Sequence, residues 1–123
     1  MTVKEYLKRT IEKPDNGYQL IRPRVNCEDG FSVSIQASRC HYCHPRENFL
    51  EEYDKVELGY PNDYMGEEFD EYAEDFDDDG VASLNTVYGF VPIELVEKLI
   101  EKHGGIVLIF KRKLANWASP LSL

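Results

Sequence analysis

Four residues able to ligate a soft metal ion fall within five positions: Cys40, His41, Cys43 and His44, with Tyr42 between them. A C-x2-C pair suits a thiolate chelate, because the short turn lets both sulfurs approach one tetrahedral ion at about 2.3 Å. The remaining ligands must come from elsewhere in the chain. Cys27 lies across an expected hairpin from this cluster, His44 is adjacent, and His103 ends the last expected helix. One reading is a structural zinc site built from Cys27, Cys40, Cys43 and His44, with His41 and His103 as alternates. A single C-x2-C is half of a zinc signature. The competing reading is three reduced thiols with surface histidines. A redox pair would be expected at a helix N-terminus, where thiol pKa falls, whereas this pair follows a strand into a loop containing Pro45. Cys–His nucleophilic catalysis needs a positioned base and an oxyanion hole, and no residues mark either.

The second chemical feature is charge. Residues 51–79 carry fourteen acids against one base, Lys55, a local net charge of −13. The rest of the chain, with thirteen bases and nine acids, is +4. A field of that sign repels nucleic acid and draws basic proteins or cations. Tyr53, Tyr60, Tyr64, Phe69, Tyr72 and Phe76 interleave with the carboxylates, and tyrosines beside carboxylates make good interface anchors. The expected partner-binding residues are Glu67, Glu68, Asp70, Glu71 and Glu74 for charge, with Tyr64 and Tyr72 as anchors. A solvated helix face is the competing reading of such a run.

Asp75 to Gly80 (DFDDDG) matches D-x-D-x-D-G, the first half of a calcium loop. An EF-hand places a bidentate Glu at the twelfth position. Here that position is Thr86, within a strand-like run, so calcium is not expected.

The elements that must position these residues follow from periodicity. Thr2 caps a helix to about Lys13, with Val3, Tyr6, Leu7 and Ile11 on one face. Pro14 to Gly17 stops it. Residues 18–26 read as a strand bounded by Pro23, and Glu28-Asp29-Gly30 as a tight turn. Phe31, Val33, Ile35 and Ala37 then alternate with Ser32, Ser34, Gln36 and Ser38, a half-buried strand that completes a hairpin. Val56, Leu58 and Tyr60 predict another strand. Met65, Phe69, Tyr72 and Phe76 are spaced as a helical stripe, predicting an acidic helix and turn over about 63–80. Thr86 to Val91 reads as a strand, Pro92 opens a helix, Gly104-Gly105 stops it, and Ile106 to Phe110 is an apolar run of strand length. The tail over 111–123 is basic, and Trp117 is the residue that would tack it down. The expected fold class is α+β: one domain over 1–123, about five short, mostly antiparallel strands with two or three helices, and one sheet face partly solvated.

A chain of 123 residues with 42% hydrophobic content supports one core. No stretch approaches the ~20 apolar residues needed to span a bilayer, and residues 1–13 lack an apolar signal-peptide centre, so a cytoplasmic protein is expected. No P-loop, G-x-S-x-G, H-E-x-x-H or dinucleotide fingerprint is present; the reading is of a non-enzyme.

Two stretches carry a resemblance. Asp29 to Pro45 (DGFSVSIQASRCHYCHP) and Thr86 to Gly105 (TVYGFVPIELVEKLIEKHGG) resemble segments of a group of small acidic proteins carried by phages and integrated mobile elements of bacteria. In that group the positions matching His41, Cys43 and Pro45 recur more reliably than those matching Cys40 and His44, which favours His41 or His103 as a ligand. Small acidic phage proteins of this kind include anti-CRISPR proteins, which this chain resembles in size and charge. The resemblance implies an interaction protein in the bacterial host cytoplasm. It would dock on a basic surface of a type II CRISPR nuclease and hinder loading of DNA or guide RNA, without binding nucleic acid itself, while a zinc site braces the hairpin. The alternative is a zinc-binding regulatory or accessory protein of a mobile element acting on another host or phage protein.

Overall fold

The computed structural model describes residues 1–11 and 21–107. A helix, α1 (Val3–Arg9), leads into a hairpin of β1 (Val25–Asn26) and β2 (Ser32–Gln36). The chain continues through β3 (Lys55–Gly59), a single helical turn α2 (Glu67–Asp70), β4 (Val87–Pro92) and α3 (Ile93–Lys102). The strands form one antiparallel sheet in the order β1-β2-β3-β4. The class is α+β as the patterning implied, with four strands among the described residues.

The hairpin turns where Gly30 adopts φ +96°, a conformation that costs a residue without Cβ little. The Cys27 N–H donates to Phe31 O at 2.8 Å and the Gly30 N–H to Cys27 O at 3.0 Å. Val33, Ile35, Val56, Leu58 and Val91 are all fully buried, each stabilising the fold by about 1.5–3 kcal/mol of transfer free energy. Against this layer pack Val3, Tyr6 and Leu7 of α1 and Ile93, Val96, Leu99 and Ile100 of α3.

The start of α1 is satisfied from two sides. Glu5 and Thr2 form a reciprocal capping box, each bond 3.1 Å long. The N–H groups of Val3 and Lys4 donate to the two carboxylate oxygens of Glu97 on α3, at 2.7 and 3.1 Å. One side chain thus joins the two helices.

Three expectations are corrected. The polar face of β2 is not broadly solvated: Ser32 and Gln36 are buried. Arg24 Nε donates to Ser32 Oγ at 3.0 Å, and the Gln36 amide exchanges two 2.8 Å hydrogen bonds with the Arg22 backbone. Polar alternation therefore marked groups satisfied by the neighbouring segment rather than by water.

The acidic helix over 63–80 shrinks to the one turn of α2. Gly66 precedes it at φ +118° with no side-chain cap. The carboxylates that follow repel at i, i+3 and i, i+4 without a basic residue to offset them. The edge of β4 takes the chain instead: Glu74 N–H donates to Val87 O, Gly89 N–H donates to Tyr72 O, and Ala73 bridges Tyr88.

The first helix ends at Arg9 rather than near Lys13, capped by Thr10, whose hydroxyl donates to Tyr6 O at 2.7 Å. The early part of the strand expected over 18–26 and the turn at 14–17 lie outside the described residues. So do the end of the run over 106–110, the tail over 111–123 and Trp117. Ile106, at the start of that run, bridges Cys27.

Candidate functional site

The Cys/His segment is a loop between β2 and β3, organised by Ser38. Ser38 Oγ accepts from the Cys40 N–H at 3.1 Å and lies 2.7 Å from His41 Nδ1. The Cys43 thiol donates to Ser38 O at 3.1 Å. Ser38, His41 and Cys43 are buried, whereas Cys40 and His44 are exposed. Burial holds the His41 imidazole below its ordinary pKa and pushes the Cys43 thiol up. A serine within hydrogen-bond reach of a histidine meets the first condition for a nucleophile and base. Ser38 is 1% exposed, and its hydrogen bonds to His41 and Cys40 brace the loop.

The expected zinc ligands stand in different places. Cys27 is buried at the end of β1 beside Ile106, its pKa pushed up to about 11 by loss of solvent. His103, at the end of α3, stacks on Phe31 with ring centroids 4.2 Å apart and sets Nδ1 2.7 Å from Asp29 Oδ2. His44 sets its own Nδ1 2.7 Å from Asp54 Oδ1. That bond holds the Asp54 carboxyl below its usual range. Asp29 is lowered first by the Phe31 N–H and then by His103. Among the described residues no three His, Cys, Asp or Glu side chains are grouped so that they could hold a metal ion. Asp75 to Gly80 closes a small turn of its own, in which Asp77 Oδ1 accepts from the Asp79 and Val81 N–H groups at 3.0 and 3.1 Å.

The acidic segment forms a strap whose residues 72–74 run along the outer edge of β4. Glu67, Glu68, Glu71 and Glu74 are exposed. Residues 63–79 hold ten carboxylates and no basic residue. Among the described residues the contacts between a basic and an acidic side chain within 4 Å are His44–Asp54 and His103–Asp29, so none involves this strap. Asp70 and Tyr64 are joined instead: the Tyr64 hydroxyl donates to Asp70 Oδ2 at 2.8 Å, which pushes the phenol up to about 12. Of the two expected anchors, Tyr64 is exposed and Tyr72 is half-buried against the core.

Sequence reasoning missed the place where loop and strap meet. Val56 pairs with Val91 and Leu58 with Tyr88, so Glu57 faces both Gly89 and Phe90 in a bulge. The two freed amides of β4 are taken from outside the sheet. Gly89 N–H donates to Tyr72 O at 3.0 Å, and Phe90 N–H donates to Tyr42 O at 2.9 Å. Tyr42 N–H in turn donates to Glu57 Oε1 at 3.0 Å. The available signal was Gly89 itself, a glycine inside a β-branched and aromatic run, which marks a bulge or a close backbone approach.

Compared with protein-family models, curated proteins and solved structures, the chain matches none. Among the described residues no helix is long and apolar enough to cross a membrane.

Proposed function

We propose that the chain is an acidic interaction protein of a phage or mobile element. It binds a basic surface of a nucleic-acid machine, a type II CRISPR nuclease in the first instance, and hinders the loading of DNA or guide RNA. The observation that carries this reading is the strap of ten carboxylates over 63–79, with no basic residue among them and no ion pair to another described residue. Charges left unpaired within the fold are free to meet cations outside it. A row of carboxylates engages the lysines and arginines that would otherwise neutralise phosphates. The two segments that resemble phage proteins, Asp29 to Pro45 and Thr86 to Gly105, support the mobile-element reading, and the likeness to anti-CRISPR proteins in size and charge supplies the choice of partner.

The proposal does not draw on zinc: among the described residues no three His, Cys, Asp or Glu side chains are grouped to hold a metal ion. The reading is tested by adding purified chain to a guide-loaded type II nuclease and following both binding and DNA cleavage as salt is raised. Binding that weakens steeply with salt and inhibition at the same concentrations are expected. Absence of binding at low salt contradicts the choice of partner.

A further inference from the structure

We propose that Tyr42 and Phe90 form the apolar anchor of the partner-binding surface, and that its occupant is a basic amphipathic segment of a protein partner, with apolar side chains flanked by lysines or arginines. The inference rests on reading the acidic strap as a binding surface, and it names where on that surface the contact centres.

Phe90 is held out at a double cost. Its ring is 43% exposed, and its backbone sits at φ +55°, a left-handed conformation that glycine or asparagine adopts readily and a bulky side chain does not. Backbone outliers of this kind persist where the surrounding structure over-determines them, and they cluster at binding sites. The determinants here are the bulge opposite Glu57 and the hydrogen bond from Phe90 N–H to Tyr42 O. Tyr42 is 41% exposed and packs on Phe90, with ring centroids 5.9 Å apart. The Arg46 guanidinium lies over the Tyr42 ring, 5.6 Å from its centre, so the rim carries one cation on the loop side. Two adjacent exposed aromatic rings on a hydrogen-bonded frame have the character of an interface hot spot.

The identity of the occupant follows from the rim. The acidic strap lies along the same edge of β4: Tyr72 O binds Gly89 N–H, and exposed Glu71 and Glu74 lie either side of Tyr72 and Ala73. An apolar centre whose rim along β4 is acidic is complementary to an apolar centre flanked by basic residues on that side. Nucleic acid, which could stack on the rings, is repelled by the same carboxylates.

The test uses two peptides of about 18 residues and equal positive charge, one an amphipathic Lys/Leu sequence and one with serine in place of each leucine. Both are titrated against the full chain by fluorescence anisotropy. The wild-type chain is expected to bind the Lys/Leu peptide about tenfold more tightly or better. Phe90→Asn and, separately, Tyr42→Ser should remove that preference while leaving the Lys/Ser affinity unchanged. Because asparagine tolerates the positive φ, Phe90→Asn should melt at the same temperature as the wild type or higher. Equal affinity of the wild type for both peptides overturns the proposal. So does a preference that survives Phe90→Asn, or a clear fall in melting temperature that makes Phe90 a packing residue. Peptide preference without nuclease inhibition contradicts the nuclease as partner and leaves this surface standing. Nuclease inhibition that is indifferent to Phe90→Asn overturns this surface and leaves the function standing.

Discussion

A Cβ added to Gly89 would lie 3.1 Å from the Cβ of Tyr42, so the bare backbone at position 89 lets the Cys/His loop sit this close to β4. The contact is tight enough that the loop must shift by a few tenths of an ångström to admit a methyl group. Gly89→Ala is expected to cost about 1 kcal/mol as a local overpacking. The cost should vanish in a Tyr42→Gly background and persist in Tyr42→Ala, which keeps the offending atom. Urea denaturation of the four combinations as a double-mutant cycle checks this. Additive effects in Tyr42→Gly would contradict the contact.

Glu97 ties α3 to the first turn of α1 through the Val3 and Lys4 amides. A carboxylate there satisfies two otherwise orphaned donors and faces the positive end of the helix. Glu97→Ala should destabilise the fold by about 1–3 kcal/mol, and Glu97→Gln, which keeps one acceptor, by less. The unfolding midpoint in urea reads both. No change on Glu97→Ala would show that water replaces the carboxylate at no cost.

His41 supplies a pH dependence. Its folded pKa lies below the ordinary 6.5 because burial disfavours the imidazolium. The unfolded chain therefore takes up this proton first as pH falls, and the stabilisation present above about pH 6.5 is lost progressively below it. Stability measured in urea should drop between about pH 7 and pH 5. His41→Gln should flatten that slope whatever it does to the absolute stability. An unchanged slope in the variant would place the titration elsewhere.

The three cysteines should separate by reactivity. Cys40 is exposed, while Cys27 and Cys43 are buried with raised pKa values. The thiolate is the reactive form, so a disulfide reagent should modify one thiol rapidly in the folded chain and all three after unfolding. Cys40→Ser should abolish the rapid phase. A second rapid thiol would mean that the loop around Ser38 opens in solution.

Much of the framework was legible in the sequence because apolar periodicity and turn residues agreed. Val33 and Ile35, and Val56 and Leu58, lie buried where their spacing placed them. The hairpin turns at Asp29-Gly30. The acidic helix failed for a reason that periodicity does not carry. Met65 and Phe69 do reach the core, but the chain beyond Asp70 finds better hydrogen bonds on the edge of β4 than in a helix of unopposed carboxylates. The C-x2-C spacing likewise carries no information about direction: Cys43 turns inward to Ser38 while Cys40 faces solvent. The Tyr42–Phe90 contact joins residues 48 positions apart in the chain, and only the solitary Gly89 hinted at it.

Binding of a basic partner by the acidic strap is decided by reversing the strap's exposed charges. Glu67, Glu68, Glu71 and Glu74 are changed together to lysine, leaving Asp70 to its hydrogen bond with Tyr64. Inhibition of DNA cleavage by a guide-loaded type II CRISPR nuclease is then compared at matched concentrations of folded protein. The wild type should inhibit, and the reversed variant, with an unchanged circular dichroism spectrum, should need about 100-fold more protein or fail altogether. Undiminished inhibition by the reversed variant would contradict the proposed surface, and no inhibition by the wild type would contradict the proposed target.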